Sequence, residues 1–375
     1  MRIAVCEAGP IDAYGDAGSR AVFDLIEATR ALGHEVLVVD ESEVGALDAL
    51  AAWRPDVVVV SRPGLFARGY SVLQSLGVPL VYFAHDIHAT RLAETGRLDE
   101  ADAAPVSTLL NAGPPNVQRA RAMRLVEDFC FAHADLTLLP TEVEVREVRV
   151  RHPQAIVERL PWFAIETVPH AALADTVGRA VFIGGERHEP NRDGLAWLLG
   201  GIWPRARDLY DELVIIGDWS EATIAELRGA AGGGTTQPEA NPANPSLANV
   251  RFAGRLSTRE VDDLMSTSLV GLSPLRFGAG QKRKTLDYLA HGLPTISTSF
   301  GVQGHTHIAG EFAGVRVADT TSDWVTALRE LADPANAPEW LTLSTNGTAF
   351  VESDYGPTPH RLALQAVYSR WEEHA

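Results

Sequence analysis

In the stretch FGAGQKRKTLDYLAHGLPTIST, Phe277 to Thr298, a glycine-containing turn leads into Lys282, Arg283 and Lys284, and Asp287 follows before a Gly-Leu-Pro break. The apolar run SLVGLSPL ahead of it, Ser268 to Leu275, suits a buried strand. A helix is expected from near Lys282, stopping at Gly292 so that Pro294 enters a further strand, TIST. In such a strand, loop, helix and strand unit, ligands sit at the carboxyl ends of the strands, where amides of the loop and first helical turn point outward. Basic side chains on that turn make a site for a dense anion such as a diphosphate. Asp287 shares the helix face of Lys284, placed to accept hydrogen bonds from hydroxyls of the same ligand. The same residues fit a plainer description, an ordinary surface ion pair within a solvated basic run.

Four further loops carry groups of the right kind. In GPIDAYGDAGSRAVF, Gly15 and Gly18 precede a helix expected from about Ser19 to Leu32, with Ser19 near its N-cap. The spacing is not G-x-G-x-x-G, so no nicotinamide fingerprint is complete. His85 and Asp86 end the strand-like PLVYFAHD, where a histidine can donate to a hydroxyl or stabilise charge, and His88 and Arg91 enlarge the polar cluster. In FIGGERHEPNRDGLAWLL, Gly184 and Gly185 permit close approach of a ligand, and Arg187 and Arg192 offer cations to phosphates. Glu186, Glu189 and Asp193 could equally neutralise those arginines. The loop SFGVQGH, containing Gly301, is another glycine turn expected to aim amides at the same crevice. No Cys/His cluster has metal spacing, His305 and His307 being too close together in a loop, and neither a G-x-S-x-G elbow nor a Walker A sequence occurs.

The elements that must position these loops alternate. RIAVCEA, EVLVVD, DVVVVS, PLVYFAHD and LTLLP read as strands separated by helices, the last helix running from near Asn116 to Ala134. After ERLPWF the pattern restarts with AVFIGG, ELVIIGD, VRFAGRL, SLVGLSPL and TIST. Two doubly wound parallel-sheet domains follow, facing a central cleft, with a linker around Ala164 to Gly178. The boundaries expected are 1–168, 178–355, and a terminal helix at 356–375 that packs back toward the first domain. The Gly- and Pro-rich segment from Gly229 to Asn249 is expected as a surface loop within the second domain.

With 375 residues and 46% hydrophobic content, there is material for two substantial cores. A formal net charge of −17 argues against a broad nucleic-acid or anionic-membrane surface, while leaving local basic pockets open. Two cysteines, Cys6 and Cys130, each sit in an apolar run and read as buried thiols. MRIAVCEAG reads as a first strand, too short for a signal peptide, and no apolar run reaches the roughly 18 residues of a membrane span. A soluble, cytoplasmic protein is the expectation.

Taken together, these segments resemble the group 1, or family 4, retaining glycosyltransferases of the two-domain GT-B fold. PLRFGAGQKRKTLDYLAHGLPTISTSFGVQG resembles the family's G-x-G-x-K-x-K, acidic residue, A-x-G-L-P and G-x-x-G block almost position by position. FIGGERHEPNRDGLAWLLGGIWP resembles a bacterial branch of it, and GDAGSRAVFDLIEATRALGHEV, VYFAHDIHATRL and ADLTLLPTEVE resemble its acceptor-domain elements. The likeness implies a nucleoside diphosphate sugar as donor substrate, a hydroxyl acceptor, no separate cofactor and no metal. It places Lys282 and Lys284 on the diphosphate, Asp287 on the ribose, and Gly184, Gly185, Arg187, Gly278, Gly280 and Gly301 around the donor. His85, Arg192 and Lys284 take catalytic roles, and Gly18, Arg20, Asp86 and His88 the acceptor side. One departure stands out: the family's first glutamate is Ala279 here, and its second is Asp287. A GT-B nucleotide-sugar epimerase, or a sugar-nucleotide-binding subunit without activity, therefore remains as an alternative. The acceptor, whether glycan, lipid-linked sugar or small natural product, and the oligomeric state are not written in the sequence; peripheral membrane contact stays compatible with it.

Overall fold

A computed structural model describes residues 1–11, 17–90, 115–230, 247–277, 281–305 and 314–372. The first half forms a parallel sheet of six strands, β1 (Arg2–Glu7), β2 (Glu35–Asp40), β3 (Val57–Ser61), β4 (Leu80–Phe83), β5 (Leu136–Leu139) and β6 (Val157–Arg159), in the order β2-β1-β3-β4-β5-β6. Between them run α1 (Ala17–Ala31), α2 (Ala46–Trp53), α3 (Pro63–Ser75), α4 (Pro115–His133) and α5 (Glu142–Arg151). β3 and β4 are buried along their whole length, as a parallel sheet covered on both faces requires, which is why VVVVS and LVYF are nearly continuous apolar runs.

The second half repeats the plan with β7 (Arg179–Ile183), β8 (Glu212–Ile216), β9 (Val250–Gly254), β10 (Val270–Ser273), β11 (Thr295–Ser297) and β12 (Val315–Val317), ordered β12-β11-β10-β7-β8-β9. Its helices are α6 (Glu189–Trp197), α7 (Glu221–Ala230), α8 (Thr258–Met265), α9 (Arg283–Ala290), α10 (Thr321–Ala332) and α11 (Ala337–Tyr355). The order reverses at β1/β3 in one sheet and at β7/β10 in the other, and such switch points open a crevice beyond the carboxyl ends of the strands.

Each sheet thus has six strands where five were expected. The additions, β6 and β12, are three-residue edge strands too short to show a period. Helix α7 runs on to Ala230, so the segment expected as a loop from Gly229 begins later, and most of it lies outside the described residues. Gly292, at φ 61°, follows α9 as a left-handed stop, as expected.

The chain passes between the sheets twice, through residues 160–178 and again after Tyr355 into α12 (Pro357–Glu372). That last helix returns to α1, where the hydroxyls of Thr29 and Tyr368 lie 2.9 Å apart in a buried contact. One core cluster joins Ile3, Leu25, Phe163, Leu289, Tyr355 and Tyr368, binding strands, linker and terminal helices into a common apolar body.

Candidate active site

In the second half, the loops after β7 and β10 flank the switch point. The Lys284 ammonium donates to Asn191 Oδ1 at 2.7 Å and stands 4.3 Å from the centroid of the Phe182 ring. Burial pushes its pKa down to about 7. Asn191 in turn donates to the Gly185 carbonyl at 3.0 Å, fixing the loop to α6. The Gly184 amide donates to Ile216 and its carbonyl accepts from Trp219, so both of its backbone groups are engaged. Arg187 is exposed, and Arg192 makes a loose, half-exposed pair with Glu226 at 3.5 Å. Asp193 neutralises neither: it is bound in two places by Arg276.

Gly301 corrects its expectation. Its amide does not point into the crevice but donates to Thr298 Oγ1 at 3.0 Å, and its carbonyl accepts from Thr285 Oγ1 at 3.0 Å on α9. A Cβ there would lie 2.1 Å from Ser297 Oγ, so glycine is needed to let this turn pack against β11 and anchor the first turn of α9.

In the first half, Glu7 and Ser61 end β1 and β3, and His85 lies two residues beyond the end of the adjacent β4. Ser61 Oγ donates to Glu7 Oε2 at 2.5 Å and lies 2.7 Å from His85 Nε2. A hydroxyl has one proton, and the carboxylate takes it, so His85 Nε2 is the donor to Ser61. Nδ1 is then the ring nitrogen turned toward Gly18, where a Cβ would lie 2.8 Å from both His85 Nδ1 and Arg62 Nη2. Arg62 holds φ 74°, a conformation that costs a non-glycine residue about 1–3 kcal/mol, and its Nε donates to Glu7 Oε1 at 3.0 Å. All three relay residues are buried.

Asp86 and His88 belong to a neighbouring turn, with His88 Nδ1 2.9 Å from Asp86 Oδ1. Two buried carboxylates hold this turn: Glu127 accepts the amides of His88 and Ala89, and Glu144 accepts the amide of Ile87. Burial, reinforced by the charge of Asp86, raises Glu144 to about 8 despite the opposing pull of Thr141 and Lys282. Lys282 is itself buried at the start of α9, its charge bearing on Glu144 across the junction between the halves.

A chain of alternating charge also crosses that junction. Arg20 Nε donates to Asp24 at 2.8 Å, Asp24 faces Arg283 at 3.7 Å, and Arg283 Nε donates to Asp287 at 2.6 Å. Asp287 therefore pairs with Arg283, four residues before it, and not with Lys284. Gln281 adds a neutral bridge, accepting from the Trp162 amide at 3.3 Å and donating to the Pro140 carbonyl at 3.3 Å.

The structure thus gathers Lys284, Gly184 and Gly185 at one switch point and Gly18 and His85 at the other. Lys282, Asp287 and Arg20 lie at the junction, whereas Gly301 acts through packing. Ser19 is the third residue of α1, which starts two residues before the expected cap. Gly278, Ala279, Gly280, Gly15, Arg91 and His307 lie outside the described residues. Sequence reasoning missed Glu7, Ser61, Arg62 and Asn191. The signal available for the first three was their place at the ends of adjacent parallel strands; for Asn191 nothing local separated it from its polar neighbours. Among the described residues, no group of three or more His, Cys, Asp or Glu could hold a metal ion. Cys6 and Cys130 are buried free thiols, each pushed up to about 12 by burial.

Residues 178–333 match the family model for Glycosyl transferases group 1, and residues 41–161 match that for a glycosyl transferase 4-like domain. No curated protein matches. Among solved structures, a sucrose-phosphate synthase from Thermosynechococcus elongatus superposes with TM-score 0.72 at 16% identity, over 100% of both chains. Anabaena HepE in complex with UDP and glucose gives 0.68 at 10% identity, over 99% of this chain and 100% of that one. WaaG, a glycosyltransferase involved in lipopolysaccharide biosynthesis, gives 0.58 at 16%, over 96% and 98%. At such identities the likeness is one of fold.

Proposed function

The chain belongs to the group 1, family 4 glycosyltransferases of the GT-B fold, and on that premise we propose that it moves a sugar from a nucleoside diphosphate donor to a hydroxyl acceptor with retention of anomeric configuration. The observation that carries this reading is the placement of Lys284 and His85 at the switch points of the two sheets, one a caged cation and the other an oriented imidazole. UDP complexes among structures of similar fold make a uridine donor the first to test.

In the reaction proposed, the bond from the sugar's anomeric carbon to the diphosphate oxygen breaks, and a bond to the acceptor oxygen forms on the same face. The acceptor's proton passes to the departing diphosphate oxygen, so no enzymic nucleophile is needed. Lys284 stabilises the charge that develops on the leaving group, and Arg192, loosely paired with Glu226, turns to assist. Arg187, Gly184 and Gly185 complete the donor loop. His85, with Nε2–H committed to Ser61, is held facing the donor sugar. Asp287 keeps one carboxylate oxygen for the ribose while Arg283 occupies the other. Gly18, Arg20, Asp86 and His88 border the acceptor, and charge stabilisation by these side chains and loop amides requires no metal.

The test begins with a thermal-shift panel of UDP, GDP, ADP and dTDP and their common sugars, followed by linkage analysis of any product. A selective shift and an α-linked product from an α-linked donor are expected. Binding with no turnover would favour a non-catalytic subunit, and a rearranged free sugar nucleotide would favour the epimerase. Treatment with a chelator should leave the rate unchanged.

A further inference from the structure

The chain as a whole is strongly acidic, yet its charge is not spread evenly. Helices α4 and α5 lie side by side on one face of the first sheet, because Arg151 and His152 at the end of α5 both bind Asp128 of α4. On α4, Arg121, Arg124 and Leu125 lie seven, four and three residues before Asp128 and so share its flank of the helix, the one nearer α5. On α5, Val143, Arg146 and Val150 form the adjoining outward stripe at i, i+3 and i+7. All six side chains are exposed, Leu125 at 72%, Val150 at 81% and Val143 at 43% of full exposure. The acidic residues between the stripes, Asp128 and Glu147, are both bound by Arg151. Arg121, Arg124 and Arg146 make no ion pair among the described residues. Apolar side chains exposed to this degree, interleaved with unneutralised arginines, form a surface whose own helices are satisfied elsewhere.

We propose that this flank of α4 and α5 is a docking surface for an anionic lipid bilayer. Charge complementarity requires an anionic partner, since the three arginines stand out from a body of opposite sign. The aliphatic residues favour lipid over nucleic acid: no aromatic side chain stands among the six to stack a base, whereas Leu and Val enter the boundary between headgroups and acyl chains. Helices in this kind of unit run opposite to the strands, so the N-terminal half of α4, with Arg121 and Arg124, lies toward the crevice end of the sheet. Docking there would hold the acceptor side of the molecule against the leaflet. This inference concerns binding alone and stands apart from the reading of the chemistry.

The experiment is co-sedimentation of the full chain with vesicles of phosphatidylcholine alone and with about one-third phosphatidylglycerol, at low salt and at about 0.5 M salt. Binding is expected only with the anionic vesicles and should weaken at high salt. Each basic group near such a surface strengthens partitioning about five-fold, so Arg121→Glu with Arg124→Glu should weaken it by at least about twenty-fold. Leu125→Asp with Val150→Asp should also release the protein, while Arg205→Glu, an exposed arginine of the second half, should bind as wild type. Absence of sedimentation, equal binding to neutral vesicles, or wild-type binding by the α4 and α5 variants would overturn the proposal. So would a wild-type dimer that those variants dissociate, since a second copy of the chain would then cover the flank.

Discussion

At the scale of single residues, the site depends on groups held away from their ordinary protonation. With its pKa near 7, Lys284 is charged only in part at neutral pH. If a diphosphate binds the charged form, binding takes up a proton above pH 7, and affinity for UDP should fall by up to about ten-fold per pH unit as pH rises from there. Calorimetry in buffers of different ionisation enthalpy should register the proton; Lys284→Met should abolish both the uptake and the slope. Affinity independent of pH would remove this lysine from the phosphate site. The relay from Glu7 through Ser61 makes a separate prediction. Ser61→Ala should reduce kcat about 10- to 100-fold with little change in KM and redistribute the His85 tautomers seen by nitrogen NMR, and Ser61→Thr should restore both. A loss of activity with the tautomer unchanged would make Ser61 a packing residue only.

At the scale of elements, α9 is fixed from both ends of its first turn. Thr285 bonds the Gly301 carbonyl, and Arg283 reaches Asp24 on the opposite half while stacking 4.6 Å from the Phe163 ring. Three consecutive basic residues are therefore not a solvated face; each has a different neighbour. The docking of α12 carries a pH dependence of its own. His360 is fully buried, and burial pushes its imidazole down to about 4, an effect that the Pro161 carbonyl offsets only in part. The unfolded chain binds a proton near pH 6.5 that the folded chain refuses, so this contribution to stability is present above that pH and is lost as pH falls toward 4. Melting temperature should drop between pH 7 and pH 5, and His360→Leu should flatten that part of the curve. An unchanged slope would place the acid sensitivity elsewhere.

At the scale of the whole molecule, two chain crossings and a shared apolar cluster join the halves, and the polar junction is made of bonds that can be exchanged. We expect the segment from Ala164 to Gly178 to act as a hinge, with donor binding drawing the switch points together. X-ray scattering should show a smaller radius of gyration with UDP-sugar than without it. Equal radii would argue for a body that binds its donor without closing.

The amino-acid sequence by itself determined the two parallel sheets, because buried strands need unbroken apolar runs and their helices need a 3.6-residue period, both local properties. It also showed the block from Phe277 to Thr298 as the place to look for a donor site, because its glycines, bases and acid lie close together along the chain. Tertiary structure alone decided who partners whom. Glu7, Ser61 and His85 are separated by 54 and 24 residues, and only adjacency of β1, β3 and β4 brings them into one hydrogen-bonded line. Likewise Asn191 and Lys284 meet across 93 residues, and Asp24 meets Arg283 only because the linker folds the halves face to face. Periodicity reports which way a residue points from its own element, whereas these pairings depend on strand order and domain packing, which no local pattern records.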